Sequence, residues 1–239
     1  MEENKININR IHFLYEALAK RHASPEETYH AILNKGLKAF NLSLGIISQI
    51  EGDRYSLLSV SPTGGDISAG MVFELKNTYC QRVVNENRII SVEHAGEHPD
   101  FNTHPVYIGM QLESYISAPI WVREKLWGTL NFSSTQVRAM SFSEDDYEFI
   151  SLMAEGVGSL IEMNLLISEN EMVISALRKN NDILEDIFKN STIGMALVAP
   201  SGLWIKVNSS LTSMLGYTEE HLLSINFQNI THPDDLSTD

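Results

Sequence analysis

The sequence predicts an α+β fold: an antiparallel sheet packed between helices, then one long helix and a second, smaller module. Three observations carry this. Two pairs of apolar runs are each joined by a tight polar turn, which is the mark of hairpins. Helical stretches with their own start signals lie before and after those runs, so helices and strands form separate layers. From Ser143 onward a helical pattern continues to about residue 189 without a proline.

Taken in order, residues 6–22 read as a helix with Ile8, Ile11, Leu14, Tyr15 and Leu18 on one side. Ser24-Pro25-Glu26-Glu27 restarts a helix. Ser24 can cap it, Pro25 suits the first turn and Glu27 completes a capping box. That helix is expected to end near Phe40. LSLGIISQIEGDRYSLLSVS then gives two β-rich runs around Glu51-Gly52-Asp53. Pro62 to Gly70 is a turn-rich loop. A short helix is expected over 77–85, a strand over 88–92 and an irregular segment from His94 to Tyr107. The second hairpin, Ser114 to Ser134, turns at Arg123-Glu124-Lys125. Alternation puts Ile116, Ala118, Ile120, Val122, Leu126, Leu130 and Phe132 on one face. It puts Tyr115, Ser117, Trp121, Trp127, Thr129 and Asn131 on the other. The first set is core. The second mixes aromatics with hydroxyls and an amide, which suits either a pocket wall or residues packed under a helix with their polar groups bonded internally.

Ser143 caps the long helix, with Glu144, Asp145 and Asp146 in its first turn. There is no Pro until 200 and no Gly between 158 and 194. One heptad register is occupied by Met153, Leu160, Met163, Ile167, Ile174, Leu177, Leu184 and Phe188, and includes Asn170 and Asn181. Single Asn residues on such a seam specify register and pairing. A helix of this span is ~70 Å long, more than a domain of this size can bury. Its C-terminal half is therefore expected to pair with a second copy as a coiled coil. The other reading is an ordinary amphipathic helix with a disordered tail.

The formal net charge is −14, from 31 acidic and 17 basic residues, and no Lys/Arg-rich run occurs. This argues against a nucleic-acid or anionic-membrane surface. Cys80 is the only cysteine, so neither an internal disulfide nor a multi-cysteine site is possible. MEENKININR has no apolar core and is not a signal peptide. No apolar run approaches the ~20 residues of a membrane span. The chain as it stands is expected to be soluble and cytoplasmic, without membrane or nucleic-acid partners.

The stretch TYCQRVVNENRIISVEHAGEHPDFNTHPVYIGMQLESYISAPIWVREKLWGTLNFSS resembles the GAF domain of bacterial signalling proteins, most tellingly in a strand of form SYxxAPI followed by WGTLNF. The resemblance extends over about residues 20–165. It implies a sheet of about six antiparallel strands with helices on both sides, a small-molecule pocket on one face, and homodimers formed through flanking helices. NSTIGMALVAPSGLWIKVN, MLGYTEEHLL and ITHPDD resemble the start of a PAS domain. That likeness covers about half such a domain, so 190–239 reads as a truncated module. The expected layout is an N-terminal helix over 1–22, the GAF domain over 23–165, the long helix over 143–189 and the partial PAS module over 190–239. Strings of this kind usually feed a histidine kinase of a two-component system or a diguanylate cyclase. Neither output domain is expected here, so the fragment is expected to be a sensor rather than an enzyme.

Four chemistries are open to these residues. His94, His98 and His104 lie among Glu93, Glu97 and Asp100, but the spacing matches no metal motif, so no metal is expected. Family members that bind bilins covalently carry a cysteine near the region that here reads His98-Pro99-Asp100-Phe101 and Thr103-His104. No cysteine stands there, so no covalent bilin is expected. Cys80 could act as a redox nucleophile, but the residues name no base for it, and a small buried hydrophobe is the alternative. The fourth chemistry is a non-covalent ligand pocket, of unknown ligand. The face with Tyr115 and Ser117 corresponds through KLWG to a chromophore-facing face of phytochromes, with Thr129, Asn131 and Ser133 on the next strand. His104-Pro105-Val106-Tyr107 resembles the His-x-x-Tyr of that pocket to within a one-residue shift. The resemblance, the mixed face that carries Thr129 and a contact role for Cys80 together nominate Cys80, His104, Tyr107, Tyr115, Ser117, Thr129, Asn131 and Ser133 as ligand contacts. Rivals to sensing are a ligand-free dimerisation scaffold and a Cys80 redox protein.

Overall fold

Ser24 opens the first helix as its sequence suggests: its Oγ accepts from the Glu27 amide at 3.3 Å. The computed structural model describes residues 24–234, and the helix read over 6–22 lies outside them. The chain divides after Leu166 into two compact units. In the first unit, helix α1 runs Pro25–Phe40. Strands β1 (Leu44–Glu51) and β2 (Arg54–Ser61) form the first hairpin. Gly52 takes the positive φ of +59° that the tight turn requires. β3 (Val72–Glu74) was not expected from sequence, being three residues in a turn-rich setting. A 3₁₀ turn over Leu75–Asn77 leads to α2 (Cys80–Glu86), which starts three residues later than its sequence suggests. β4 is Ile90–Val92. The segment read as irregular does remain so until His104, but Pro105–Met110 then forms a short helix, α3. β5 (Ser114–Val122) and β6 (Lys125–Ser134) complete the sheet, and α4 runs Glu144–Asn190.

The sheet has six strands in the order β3-β2-β1-β6-β5-β4, all neighbours antiparallel. Both of its faces are buried. One face packs under α1 and the first part of α4. Ile32, Leu33 and Phe40 meet Phe149, Ile150, Met153 and Val157 over Ile116, Ala118, Leu130 and Phe132. The Phe40 ring lies 5.1 Å from Phe132 and 5.7 Å from Phe149. The opposite face packs under α2 and the segment around α3, through Val83, Phe101, Leu112 and Tyr115.

Two bulges reassign side chains. In the β5–β6 register Ile120 pairs with Gly128 but Trp121 pairs with Leu126, leaving Trp127 as the extra residue. Simple alternation places Trp127 with Asn131. The bulge turns it instead toward the α1/α4 core. Trp121, assigned to the same mixed face, is 43% exposed. The mixed face is thus shorter than alternation implies and ends at Thr129. A matching shift between Ile47 and Ser48 places Leu58 against the same core.

The join between sheet and α4 is pinned by charge. Arg138 donates to the Phe40 carbonyl at 2.5 Å and to Asp146 Oδ2 at 3.3 Å. Asp146 Oδ2 also accepts the Ser143 amide at 3.0 Å, while Ser143 Oγ accepts the Asp146 amide at 3.2 Å. This is a reciprocal cap with Asp in place of the usual Glu. Further along, α4 approaches β5 closely at Gly158, where an added Cβ would sit 2.4 Å from the Trp121 carbonyl oxygen. One 18-residue window of α4 is long and apolar enough by composition alone to cross a bilayer, and a third of it is buried in the protein. A helix that packs one face on a sheet meets the same compositional test.

In the second unit, β7 (Ala196–Val198) and β8 (Trp204–Val207) pair as a hairpin. The Pro-Ser-Gly turn between them has Gly202 at φ +86°. Asn208 ties the end of this hairpin to the next helix. Its Oδ1 caps α5 (Ser209–Leu215) through Leu211 N and accepts Met195 N, and its Nδ2 donates to Phe188 and Ile193 carbonyls. Thr218 caps α6 (Glu219–Ser224). Ile193, Ile205 and Met214 are each more than 60% exposed.

Two substitutions probe the seating of α4. Gly158→Ala is expected to cost about 1–3 kcal/mol in urea unfolding despite the better helix propensity of alanine, because the clash is with backbone. Asp146→Ala is expected to cost about 3–5 kcal/mol by the same measurement, since the Arg138 guanidinium is left in a mostly buried site without its carboxylate.

Candidate functional site

β6 supplies Thr129, Asn131 and Ser133 to the α2 side of the sheet, and β5 supplies Tyr115 and Ser117. Cys80, the first residue of α2, comes down onto them. Its Sγ is 3.2 Å from Tyr115 OH, 3.2 Å from Thr129 Oγ1 and 3.3 Å from Tyr55 OH, with Asn131 Nδ2 at 3.5 Å. Asn131 Nδ2 also donates to Tyr55 OH at 3.1 Å. Ser48 Oγ and Thr129 Oγ1 share a 2.8 Å hydrogen bond. The result is a buried polar cluster around one sulfur, built from β1, β2, β5, β6 and α2. Ser117 lies opposite Asn131 on β5, fully buried, and its hydroxyl makes no hydrogen bond.

A cavity of about 90 Å³ lies against this cluster. Of the eight nominated residues, Cys80, Tyr115, Asn131 and Ser133 line it. Thr129 and Ser117 belong to the cluster behind. His104 and Tyr107 do not line the cavity. His104 Nδ1 accepts the Val106 amide at 3.2 Å and so caps α3, with its ring 4.9 Å from Tyr79. Burial lowers its pKa, which keeps that nitrogen an acceptor. Tyr107 OH donates to Glu113 Oε1 at 2.9 Å, and the Gly96 amide donates to Glu113 Oε2 at 3.0 Å. These bonds close the segment between β4 and β5 on itself. The His-x-x-Tyr likeness therefore marks loop-forming residues in this chain.

The histidines of the same segment also separate into local tasks. His94 faces Glu97 and Glu113 at 3.3 and 3.7 Å, while His98 Nδ1 accepts the Asp100 amide. Among the described residues no group of three or more His, Cys, Asp or Glu is placed to hold a metal ion.

Sequence reading missed Tyr55, Ser48 and Tyr79. Ser48 was within reach, since pairing β1 with β6 puts it directly opposite Thr129. Tyr55 follows one strand further out, opposite Ile50. Tyr79 stacks edge-on to Phe101 at 4.8 Å and to Tyr115 at 5.3 Å, and donates to the Leu112 carbonyl. Only the loop geometry brings those groups together.

Burial pushes the Tyr55 and Tyr115 hydroxyls well above the ordinary phenol range, and the neighbouring Cys80 sulfur adds to this. Burial also raises Tyr79, reinforced by Glu113. A raised phenol favours the protonated fold, so this stability is complete below about pH 10 and is lost as pH rises toward the folded-state values. Spectrophotometric tyrosine titration should therefore show a late phase. Tyr55→Phe and Tyr115→Phe should each remove amplitude from that phase and leave the ordinary phase near pH 10 unchanged.

Residues 24–161 match the family model described as GAF domain. The GAF domain from an Acinetobacter phosphoenolpyruvate-protein phosphotransferase is similar at TM-score 0.57 and 16% identity, covering 68% of this chain and 97% of that one. The phycocyanobilin-bound GAF domain from a cyanobacterial phytochrome is similar at TM-score 0.54 and 16% identity, covering 66% and 96%. The free methionine-R-sulfoxide reductase from Neisseria meningitidis, in complex with its substrate, gives TM-score 0.52 and 13% identity, covering 65% and 90%. At these identities the likeness is one of fold. A stretch of 68 residues is 43% identical to the probable diguanylate cyclase DgcE of Escherichia coli strain K12, which is 27% of this chain and 6% of that protein. The chain thus matches a small fraction of that relative's length. With more than half its residues matched by the family model, and with the six-stranded sheet flanked by helices, this chain belongs to the GAF domain family.

Proposed function

We propose that this chain is the cytoplasmic input segment of a bacterial signalling protein, in which the GAF domain senses a small molecule and α4 passes its state onward. The observation that carries this reading is the double use of α4. Met153 is fully buried in the GAF core and Leu160 packs against it. The later positions of the same heptad register, Met163, Ile167, Ile174, Leu177 and Leu184, are 48–65% exposed. Such a stripe is suited to a second copy, with Asn170 and Asn181 setting the register. We read residues 190–239 as the first part of a PAS module. The exposed apolar side chains of Ile193, Ile205 and Met214 suit a hairpin whose sheet continues in further strands. The match to a probable diguanylate cyclase supports an output domain of that type over a histidine kinase. No catalytic role is proposed for the segment itself.

A ligand can drive such a system only by its difference in affinity between two states. The competing reading is a ligand-free scaffold. It is favoured by the near-complete internal bonding of the Cys80 cluster, in which the Ser117 hydroxyl is the exception. Redox chemistry at Cys80 is the weaker rival, because its four neighbours are hydroxyls and an amide rather than a base.

Light scattering coupled to size exclusion is expected to give a dimer for the wild-type chain. Ile174→Asp with Leu177→Asp is expected to shift it to monomer, with the GAF unfolding transition preserved. A wild-type monomer at high concentration would remove the pairing step. Native mass spectrometry of gently purified protein then separates sensor from scaffold: a retained small molecule supports the first, and a bare chain the second.

A further inference from the structure

The described residues give the cavity beside Cys80 no charged wall. Its polar walls are Tyr55, Tyr79, Tyr115, Asn131 and Ser133, with Asn77 and Thr78, and the rest is apolar side chains and the Cys80 thiol. Among the described residues no Asp, Glu, Lys, Arg or His lines it, in a chain whose formal charge is −14. Two of the amides at the start of α2 are also occupied. The Gln81 and Arg82 amides are already bonded to the Thr78 and Tyr79 carbonyls, at 3.2 and 3.1 Å. An ion entering would lose its water and find no opposite charge, which is the costly case of burial. The volume of about 90 Å³ is smaller than the ~150 Å³ of a cavity that holds benzene. The cavity is also reachable. Phe73 and Met110, which line it, are 41% and 40% exposed, whereas Cys80 and Tyr115 at its floor are 3% and 2% exposed.

We propose that this cavity selects an uncharged ligand of only a few non-hydrogen atoms, with an apolar body against Ile46, Leu57 and Leu112 and one polar group on Tyr115 or Asn131. The inference rests on the reading of the GAF domain as a small-molecule sensor, and it names the class of molecule sensed. It sets the site apart from one for a nucleotide, a carboxylate or an amine, each of which would bring a charge the walls do not match.

Cys80 makes the test direct, because it is the single thiol of the chain and forms part of the cavity wall. Methanethiosulfonates transfer their RS group to it. The Cys80 thiolate attacks the sulfenyl sulfur, a mixed disulfide forms, the thiosulfonate S–S bond breaks and methanesulfinate leaves with the electron pair. The folded full-length chain is treated with the methyl and propyl reagents, both neutral, and with the anionic sulfonatoethyl and cationic trimethylammonioethyl reagents. Intact mass gives each rate, divided by the rate for the same reagent on urea-unfolded protein.

Both neutral reagents are expected to label at least about tenfold faster than either charged one. Rejection of both signs matters, since the acidic surface alone would repel the anion and speed the cation. Comparable rates for propyl and either charged reagent would overturn the proposal while leaving a ligand site standing. Exclusion of propyl together with the charged pair would also overturn it, because size alone would then decide. Labelling by none of the four would close the cavity and remove the small-molecule reading with it. Labelling through global unfolding cannot imitate the expected result, because it erases selectivity by charge.

Discussion

Strand β6 is buried on both faces, and much of the first unit depends on that. Every residue from Gly128 to Ser134 is buried. Leu130 and Phe132 meet the α1/α4 side and cost nothing to desolvate. Thr129, Asn131 and Ser133 alternate with them and point the other way, where an unbonded polar group is expensive. The partners they need cannot come from one neighbour. Ser48, Tyr55 and Cys80 answer Thr129 and Asn131 from three separate elements, with Tyr115 bonded in turn to Cys80, and this fixes where α2 must begin. A strand with an apolar set on one side and hydroxyls on the other thus dictates an apolar helical layer beneath and a bonded polar layer above.

The parts legible in the sequence were those whose information is local. Ser24 and Ser143 announced helix starts because caps act over three residues. Gly52 announced its turn because few residues take its φ at low cost. The length of α4 was visible as a helical pattern unbroken by proline. What failed was whatever depends on a partner strand or on loop closure. Trp127 was misplaced because a bulge inverts alternation and leaves no signature in composition. β3 was missed because three residues carry too little pattern. His104 and Tyr107 looked like pocket residues, yet their geometry serves α3 and Glu113. At the cavity wall, Tyr115 and Asn131 were legible from the face that alternation gives them. Tyr55 was not, since two successive strand pairings had to be known first.

The stripe on α4 is one pattern in two settings, buried against the sheet at its start and exposed beyond it. A helix period near 3.6 and a heptad period of 3.5 are close enough that a single row of apolar residues can seat on a sheet and continue outward. Met153 and Leu160 belong to the row as fully as Leu177 and Leu184 do, but the sheet has already occupied them. Periodicity alone therefore overstates the length of helix left exposed.

The outermost strand of the sheet raises a different constraint. β3 leaves Val72 and Phe73 exposed at an edge that pairs with no further strand among the described residues. Such edges recruit other chains when they are long and flat. Here the pairing spans only Val72 to Glu74 before the chain turns into Leu75–Asn77, and Glu74 places a charge at its end. Brevity and one carboxylate are the protection against cross-β assembly. A change that straightened the preceding loop into strand would lengthen an apolar template beside the mouth of the cavity, and self-association would compete with whatever that mouth admits.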